Sequence, residues 1–250
     1  MRDLLLETDN LEKRFGAVQA SKHLSLQVAR GEVHALIGPN GAGKTTVIKQ
    51  LAGEIMPDAG RILFDGQEIT CLPAHRRARL GLARSFQITS IFEQMTVAEN
   101  IALAVQAHMG HSFRFWRAAA NDRQLLEPTE SALERVGLEQ RSRVPAASLS
   151  YGEKRQLEVG MALAGNPKLL LLDEPMAGMG PGGTVKMTEL IQRLKGSLTI
   201  LLVEHDMHAV FSLADRITVL VYGESIAVGT AQHIRSHPEV RRAYLGEEQE

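Results

Sequence analysis

The most specific chemistry in this sequence lies in the stretch Gly38-Pro39-Asn40-Gly41-Ala42-Gly43-Lys44-Thr45-Thr46. From Gly38 to Thr45 it fits the phosphate-binding pattern G-x-x-x-x-G-K-[ST] at every fixed position. Glycines let the backbone curl around a polyphosphate, so that successive N–H groups point inward as a fixed anion nest. A helix starting near Gly43 adds its positive N-terminal end, Lys44 a mobile cation, and the Thr45 hydroxyl a ligand for Mg²⁺. The flanks suit the motif. Glu32–Ile37 reads as a short apolar strand, and Val47, Ile48, Leu51 and Ala52 share a helical face downstream. A glycine-rich turn that bound nothing would have no need of Lys44 and Thr45. The stretch reads as a nucleotide-binding loop.

Two further sites extend this chemistry. Leu169-Leu170-Leu171-Leu172-Asp173-Glu174 places two acids after a strand-length apolar run. Such a run also fits a strand that simply ends in solvent. Beside a complete phosphate loop, it is where a P-loop ATPase holds Mg²⁺. Asp173 can approach the metal shell, while Glu174 polarises the water that attacks the γ-phosphate. Leu149-Ser150-Tyr151-Gly152-Glu153 contains a capping-box pattern, Ser150-x-x-Glu153, opening a helix through Leu157, Met161 and Ala164. The same N-terminus, with a serine hydroxyl and an unobstructed glycine, is also a second phosphate site. Both readings can hold together. Two phosphate sites far apart in one chain suggest that each nucleotide is shared between two chains.

His205 follows the apolar run Thr199–Val203, where it either packs into the core or touches the γ-phosphate. Phe15 is equally open, as packing or as ligand contact. The pairs His205/His208 and His108/His111 lack the cysteine or carboxylate set that would complete a site, which leaves Mg²⁺ as the metal to expect.

Composition bounds the setting. A chain of 250 residues can bury a substantial core, as one large domain or one domain with an insertion. Lys+Arg 28 against Asp+Glu 29 argues against a polynucleotide held by bulk electrostatics. The single cysteine, Cys71, cannot form an internal disulfide, which fits a reducing compartment. No apolar run approaches the ~18–20 residues that span a bilayer, and the start lacks a signal-peptide run. A membrane role would need another chain to cross the bilayer.

The elements that must position these residues follow in order. Leu4–Thr8 and Leu24–Val28 alternate like antiparallel strands, with Lys13-Arg14-Phe15-Gly16 expected as the turn. Pro57–Gly60 is a turn, Arg61–Phe64 a strand, and Asp65-Gly66 a tight turn into Gln67–Ile69. Leu82–Gln87 is a short strand ending in a polar residue. Thr96-Val97-Ala98-Glu99 opens a helix, and Thr129–Val136 forms another, closed by Gly137. His111–Arg117, with the only tryptophan, either packs on its own helices or contacts a membrane-embedded partner or headgroups. After Pro167 come strand, helix, strand and a final hairpin, Ile217–Val221 and Ser225–Val228. The expectation is an α/β P-loop NTPase (RecA-like) core over 1–87 and 165–250, with an N-terminal antiparallel β subdomain. A helical subdomain containing Ser150 is inserted over 88–164.

Together these motifs resemble the ATP-binding subunit of an ATP-binding cassette (ABC) transporter, over nearly the whole chain. The resemblance implies that Phe15 stacks on adenine and that Gly38–Thr46 is the Walker A loop. It makes Gln87 the Q-loop glutamine, meeting Mg²⁺ and the attacking water and sensing the transmembrane partner. Leu149–Glu153 becomes the signature, Asp173 the Walker B aspartate, Glu174 the catalytic glutamate and His205 the switch histidine. ATP and Mg²⁺ are the implied cofactors. A second ATPase subunit, permease subunits and a periplasmic solute-binding protein are the implied partners, at the cytoplasmic face of the inner membrane; no nucleic acid is implied.

Arg84-Ser85-Phe86-Gln87, Met95–Asn100, Glu204-His205-Asp206-Met207 and Ala243-Tyr244-Leu245-Gly246 resemble importers of branched-chain amino acids. Importers of urea and short amides and lipopolysaccharide-export ATPases share much of this. A lipid or lipopolysaccharide exporter is therefore an alternative, and a soluble ATPase of iron–sulfur cluster assembly is a rival of another class. Two departures stand out. Tyr151 and Glu153 replace the third and last residues of the commonest signature, L-S-G-G-Q. The charge of Glu153 is unfavourable near a phosphate unless it points away or caps its own helix. Gly180 stands where an aspartate usually makes a contact across the dimer, and Gly182-Gly183 weakens the following helix start by ~1 kcal/mol per glycine.

Overall fold

The computed structural model describes residues 3–85, 91–109 and 123–242. Period-two alternation at the N-terminus folds as an antiparallel pair, β1 (Leu4–Phe15) and β2 (Val18–Ala29). β1 extends beyond the expected turn, which shrinks to Gly16-Ala17. Asp58 is the reason: it accepts from Lys13 Nζ and from the Arg14 N–H, both at 2.7 Å, and keeps this end extended. β3 (Val33–Ile37) is buried throughout and leads through the glycine loop into α1 (Lys44–Ala52). β4 (Ala59–Phe64) and β5 (Gln67–Glu68) complete a four-stranded sheet of order β2-β1-β4-β5. Asp65 and Gly66, both at positive φ (51° and 75°), form the two-residue turn between them.

The insertion is helical. After α2 (Ala74–Leu80) and β6 (Leu82–Arg84) come α3 (Val97–His108), α4 (Arg123–Val136) and α5 (Tyr151–Leu163). Both expected capping boxes are formed, at Thr96/Glu99 and Ser150/Glu153. α4 begins six residues before the expected start and carries Pro128 inside it. The burial of Ala132, Leu133 and Val136 downstream outweighs the one lost donor.

The core resumes with β7 (Leu169–Asp173), α6 (Pro181–Leu194), β8 (Thr199–Val203), α7 (Met207–Leu213), β9 (Arg216–Val221), β10 (Glu224–Gly229) and α8 (Ala231–Ser236). The second sheet has the order β10-β9-β3-β8-β7-β6, parallel except for the β9–β10 hairpin. Its central strands β3, β8 and β7 are buried on both faces. Leu169 and Leu171 join the core against the antiparallel sheet and α1, whereas Leu170 and Leu172 join the core under the inserted helices. Among the described residues no helix is long and apolar enough to cross a membrane.

One buried charge ties α1 to the insertion's threshold. Arg77 of α2 is fully buried and donates to four carbonyls, Gln50, Leu51, Thr70 and Leu72, at 2.7–2.8 Å. Two of these close α1, whose C-terminal dipole end favours a cation. Arg77→Met removes all four of these bonds, leaving the Gln50 carbonyl with the Gly53 N–H alone, and is expected to destabilise the protein by roughly 3 kcal/mol, read as a lower urea midpoint.

Candidate active site

Pairing across the parallel sheet brings the motif residues to one edge. Leu36 of β3 pairs with Val203 of β8, and Val203 pairs with Asp173 of β7. The glycine loop, the two acids and His205 therefore all leave the sheet at the C-terminal ends of neighbouring strands, the edge at which open α/β sheets bind ligands. Arg84, the last residue of β6, pairs with Leu171 and sits on the same side.

Close approach requires two of the loop's glycines. A Cβ on Gly38 would stand 2.1 Å from the Leu220 carbonyl, and one on Gly43 2.0 Å from the Ala20 carbonyl. Gly43, at φ 104°, caps α1, and the first loop-to-helix bond runs from the Val47 N–H to the Gly43 carbonyl. By helix geometry the first-turn N–H groups ahead of it have no intrahelical partner. Lys44 is 7% exposed and donates to the carbonyls of Gly38 (2.7 Å) and Pro39 (3.0 Å). Burial pushes its ammonium below the ordinary lysine value, while the charges of Glu174 and Asp173 oppose that shift. Thr45 and Thr46 follow it, half-buried in the first turn.

Asp173 is buried, and its carboxyl is raised by burial and by Glu174, against the opposing charge of Arg84. Its Oδ2 accepts from Arg84 Nη2 at 3.2 Å, but its Oδ1 is shielded and has no hydrogen-bond partner. A buried carboxylate oxygen without a donor fits a cation or its water shell. The residues present thus suit Mg²⁺, with Asp173 and Thr45 as oxygen donors. Glu174 is held at φ 51°, a left-handed conformation rare for such a residue, with its N–H on the Val203 carbonyl at 2.8 Å.

His205 is not a core residue: its side chain is 61% exposed and projects from the sheet edge. Phe15 is 48% exposed at the hairpin tip, with Lys13 Nζ 5.7 Å from its ring centre. Gln87 lies outside the described residues, as do the aromatic cluster 111–117 and residues 243–246.

Ser150, Gly152 and Glu153 line a separate hollow of about 350 Å³ with Gly180, Gly183 and Lys186. Glu153 turns back on its own helix, as its capping pattern allows. Its Oε2 accepts from the Ser150 N–H (2.9 Å) and hydroxyl (2.8 Å), and Arg141 Nε stands 3.3 Å from Oε1. Burial pulls its carboxyl upward, but these Ser150 donors, with Arg141 and Lys186, hold it below the ordinary glutamate value. Tyr151 donates to the Ala177 carbonyl at 3.2 Å and links the hollow to the loop after Glu174. Gly180 takes the N-cap position of α6 without a side-chain bond, and the helix nevertheless starts at Pro181. Pro181 has its φ pre-set for a first helical position, which offsets Gly182 and Gly183.

Two positioning residues escaped the sequence reading. Glu204 is 1% exposed and accepts from the Met176 N–H (2.8 Å) and the His205 N–H (3.1 Å), joining the loops that carry Glu174 and His205. Its place before His205 was the available signal. Arg84 bonds Glu54 as well as Asp173. It also borders an alanine-lined groove of about 490 Å³ between α1, α2, α3 and α5, which includes Ala78, Ala104 and Glu158.

The family model described as ABC transporter matches residues 21–177. The chain belongs to the ABC transporter ATP-binding family. It is an ABC-type ATPase, and its nucleotide is bound through that cassette. A second family model, described as a branched-chain amino acid ATP-binding cassette transporter, matches residues 224–250. Among curated proteins, the high-affinity branched-chain amino acid transport ATP-binding protein BraF of Pseudomonas aeruginosa is 40% identical, over 97% of this chain and 98% of its own length. The LivG protein of the same description from Escherichia coli K12 is also 40% identical, over 99% and 100%. A solved ATP-binding cassette in its ADP conformation superposes with a TM-score of 0.85 at 30% identity, covering 97% of this chain and 99% of that one.

In this cassette Glu204→Ala is expected to lower kcat for ATP hydrolysis by about tenfold, with the KM for ATP little changed. Steady-state kinetics with ATP titration check it. The reason is geometric: the phosphate loop keeps its own contacts while Met176 and His205 lose their shared anchor.

Proposed function

We propose that this ABC ATPase powers import of branched-chain amino acids or related small solutes through separate transmembrane subunits. The whole-length likeness to BraF and LivG and the match at 224–250 support that cargo class over lipid export. Two ATPase subunits close head-to-tail over two ATP molecules. Each nucleotide lies between the Lys44 loop of one subunit and the Ser150–Gly152 helix start of the other, with Phe15 stacking on adenine.

The observation that carries the catalytic assignment is the pair at the end of β7. Asp173 has a shielded oxygen without a donor, and Glu174 beside it is fixed in a strained backbone conformation. Asp173 and Thr45, with Gln87 as the family resemblance implies, would hold Mg²⁺, which would supply charge neutralisation at the phosphates. Lys44 and His205 face the γ-phosphate, and Glu174 takes the proton of the attacking water. The lysine's loop carbonyls and the two carboxylates hold its charge in place before the nucleotide arrives.

The alanine-lined groove beside Arg84 receives a segment of the transmembrane partner. Arg84 connects that groove to Asp173, which offers a short physical route between docking and the metal site. The chain works at the cytoplasmic face of the membrane, with a periplasmic solute-binding protein delivering cargo on the far side.

Glu174→Gln keeps the shape of the site and removes its base. The variant is expected to bind ATP normally while hydrolysing it at least about 10²-fold more slowly. Near-normal turnover would remove Glu174 from this role; nucleotide binding and phosphate release, measured side by side, decide it.

A further inference from the structure

We propose that Glu153 restrains the Ser150 hydroxyl, and so sets how much ATP is needed to close the signature on a nucleotide. The proposal rests on the reading that Ser150 meets a nucleotide carried by a second subunit.

The hydroxyl has one hydrogen. It is given to Glu153 Oε2 at 2.8 Å, while the oxygen accepts the Glu153 N–H at 3.3 Å. What remains for an approaching phosphate is a lone pair, which repels it. To donate to a phosphate oxygen, Ser150 must rotate its hydrogen away from the carboxylate. A bond to an ionised acceptor is roughly twice as strong as a neutral one, so the release is costly. Glu153 is kept ionised by the groups around it, and its Oε2 also holds the Ser150 N–H. A glutamine at 153 can accept from the same N–H and preserve the cap, but it grips the hydroxyl as a neutral partner.

The fold supplies its own control. Thr96 and Glu99 at the start of α3 make the same box: N–H to Oε2 at 2.7 Å, hydroxyl to Oε2 at 2.9 Å, and Glu99 N–H to the hydroxyl at 3.2 Å. Glu99→Gln thus reports what the loss of a capping charge does to the helix alone.

The test is steady-state ATPase kinetics on the full chain. Glu153→Gln is expected to lower the KM for ATP by about fivefold with kcat within about twofold, since a charge-assisted bond gives way to a neutral one. Glu99→Gln should leave both unchanged. Ser150→Ala should raise KM, and Ser150→Ala with Glu153→Gln should match Ser150→Ala alone. A KM for Glu153→Gln equal to that of the wild type overturns the proposal. So does a fall in KM that survives in the Ser150→Ala background, because the effect would then be the field of the charge and not the held hydroxyl. An unchanged KM for Ser150→Ala alone removes the underlying reading of Ser150 as a nucleotide contact, and the restraint with it. Glu153→Ala, which deletes the acceptor outright, repeats the comparison if the glutamine variant fails to fold.

Discussion

The pairing of Leu36 with Val203 and of Val203 with Asp173 is the constraint on which the rest of the molecule depends. These three neighbouring strands are parallel and buried on both faces, so their side chains interlock with two separate cores. Slipping one strand by a residue would exchange its two faces and misplace every buried leucine. The core therefore fixes where each strand ends, and the strand ends fix where the phosphate loop, the two acids and the histidine emerge. Catalytic geometry in this cassette follows from hydrophobic packing.

A thin layer of buried charge refines that geometry. Glu204 ties the loop after Glu174 to the His205 backbone, Arg84 grips Asp173 at the end of β7, and Arg77 closes the C-terminus of the loop helix. Each replaces solvent at backbone or carboxylate groups that the fold has buried, and each would be costly to remove singly. Glu153 acts in the same way from a half-buried position. Its charge, which would be unfavourable beside a phosphate, is turned inward to cap α5.

Much of this was legible from local pattern. The phosphate loop, both capping boxes, the apolar strands before Asp173 and His205, and the final hairpin depend on residues within a few positions of one another. What was not legible depends on partners distant in sequence. Arg84 meets Asp173 across 89 residues, and Met176 meets Glu204 across 28. Asp58 lengthens β1 through contacts 44 and 45 residues away, so a stretch that reads as a turn becomes strand. Thr129 reads as a helix start, yet α4 begins at Arg123 and runs through Pro128, because the face beyond it is buried. For His205 the sequence left two readings, and its exposure at the sheet edge removes the core one. The left-handed backbone at Glu174 has no signal in residue type at all.

The central claim is that the Gly38–Thr46 loop is half of a site, completed by the Ser150 helix start of a second subunit. Photo-labelling tests it most directly, with an ATP analogue reactive at the γ-phosphate and the Glu174→Gln protein in solubilised membranes. The account predicts label on two peptides of this chain, one containing the Lys44 loop and one containing Ser150–Lys154, the second disappearing when the subunits are dissociated. Label confined to the Lys44 loop, in assembled and dissociated samples alike, would contradict it.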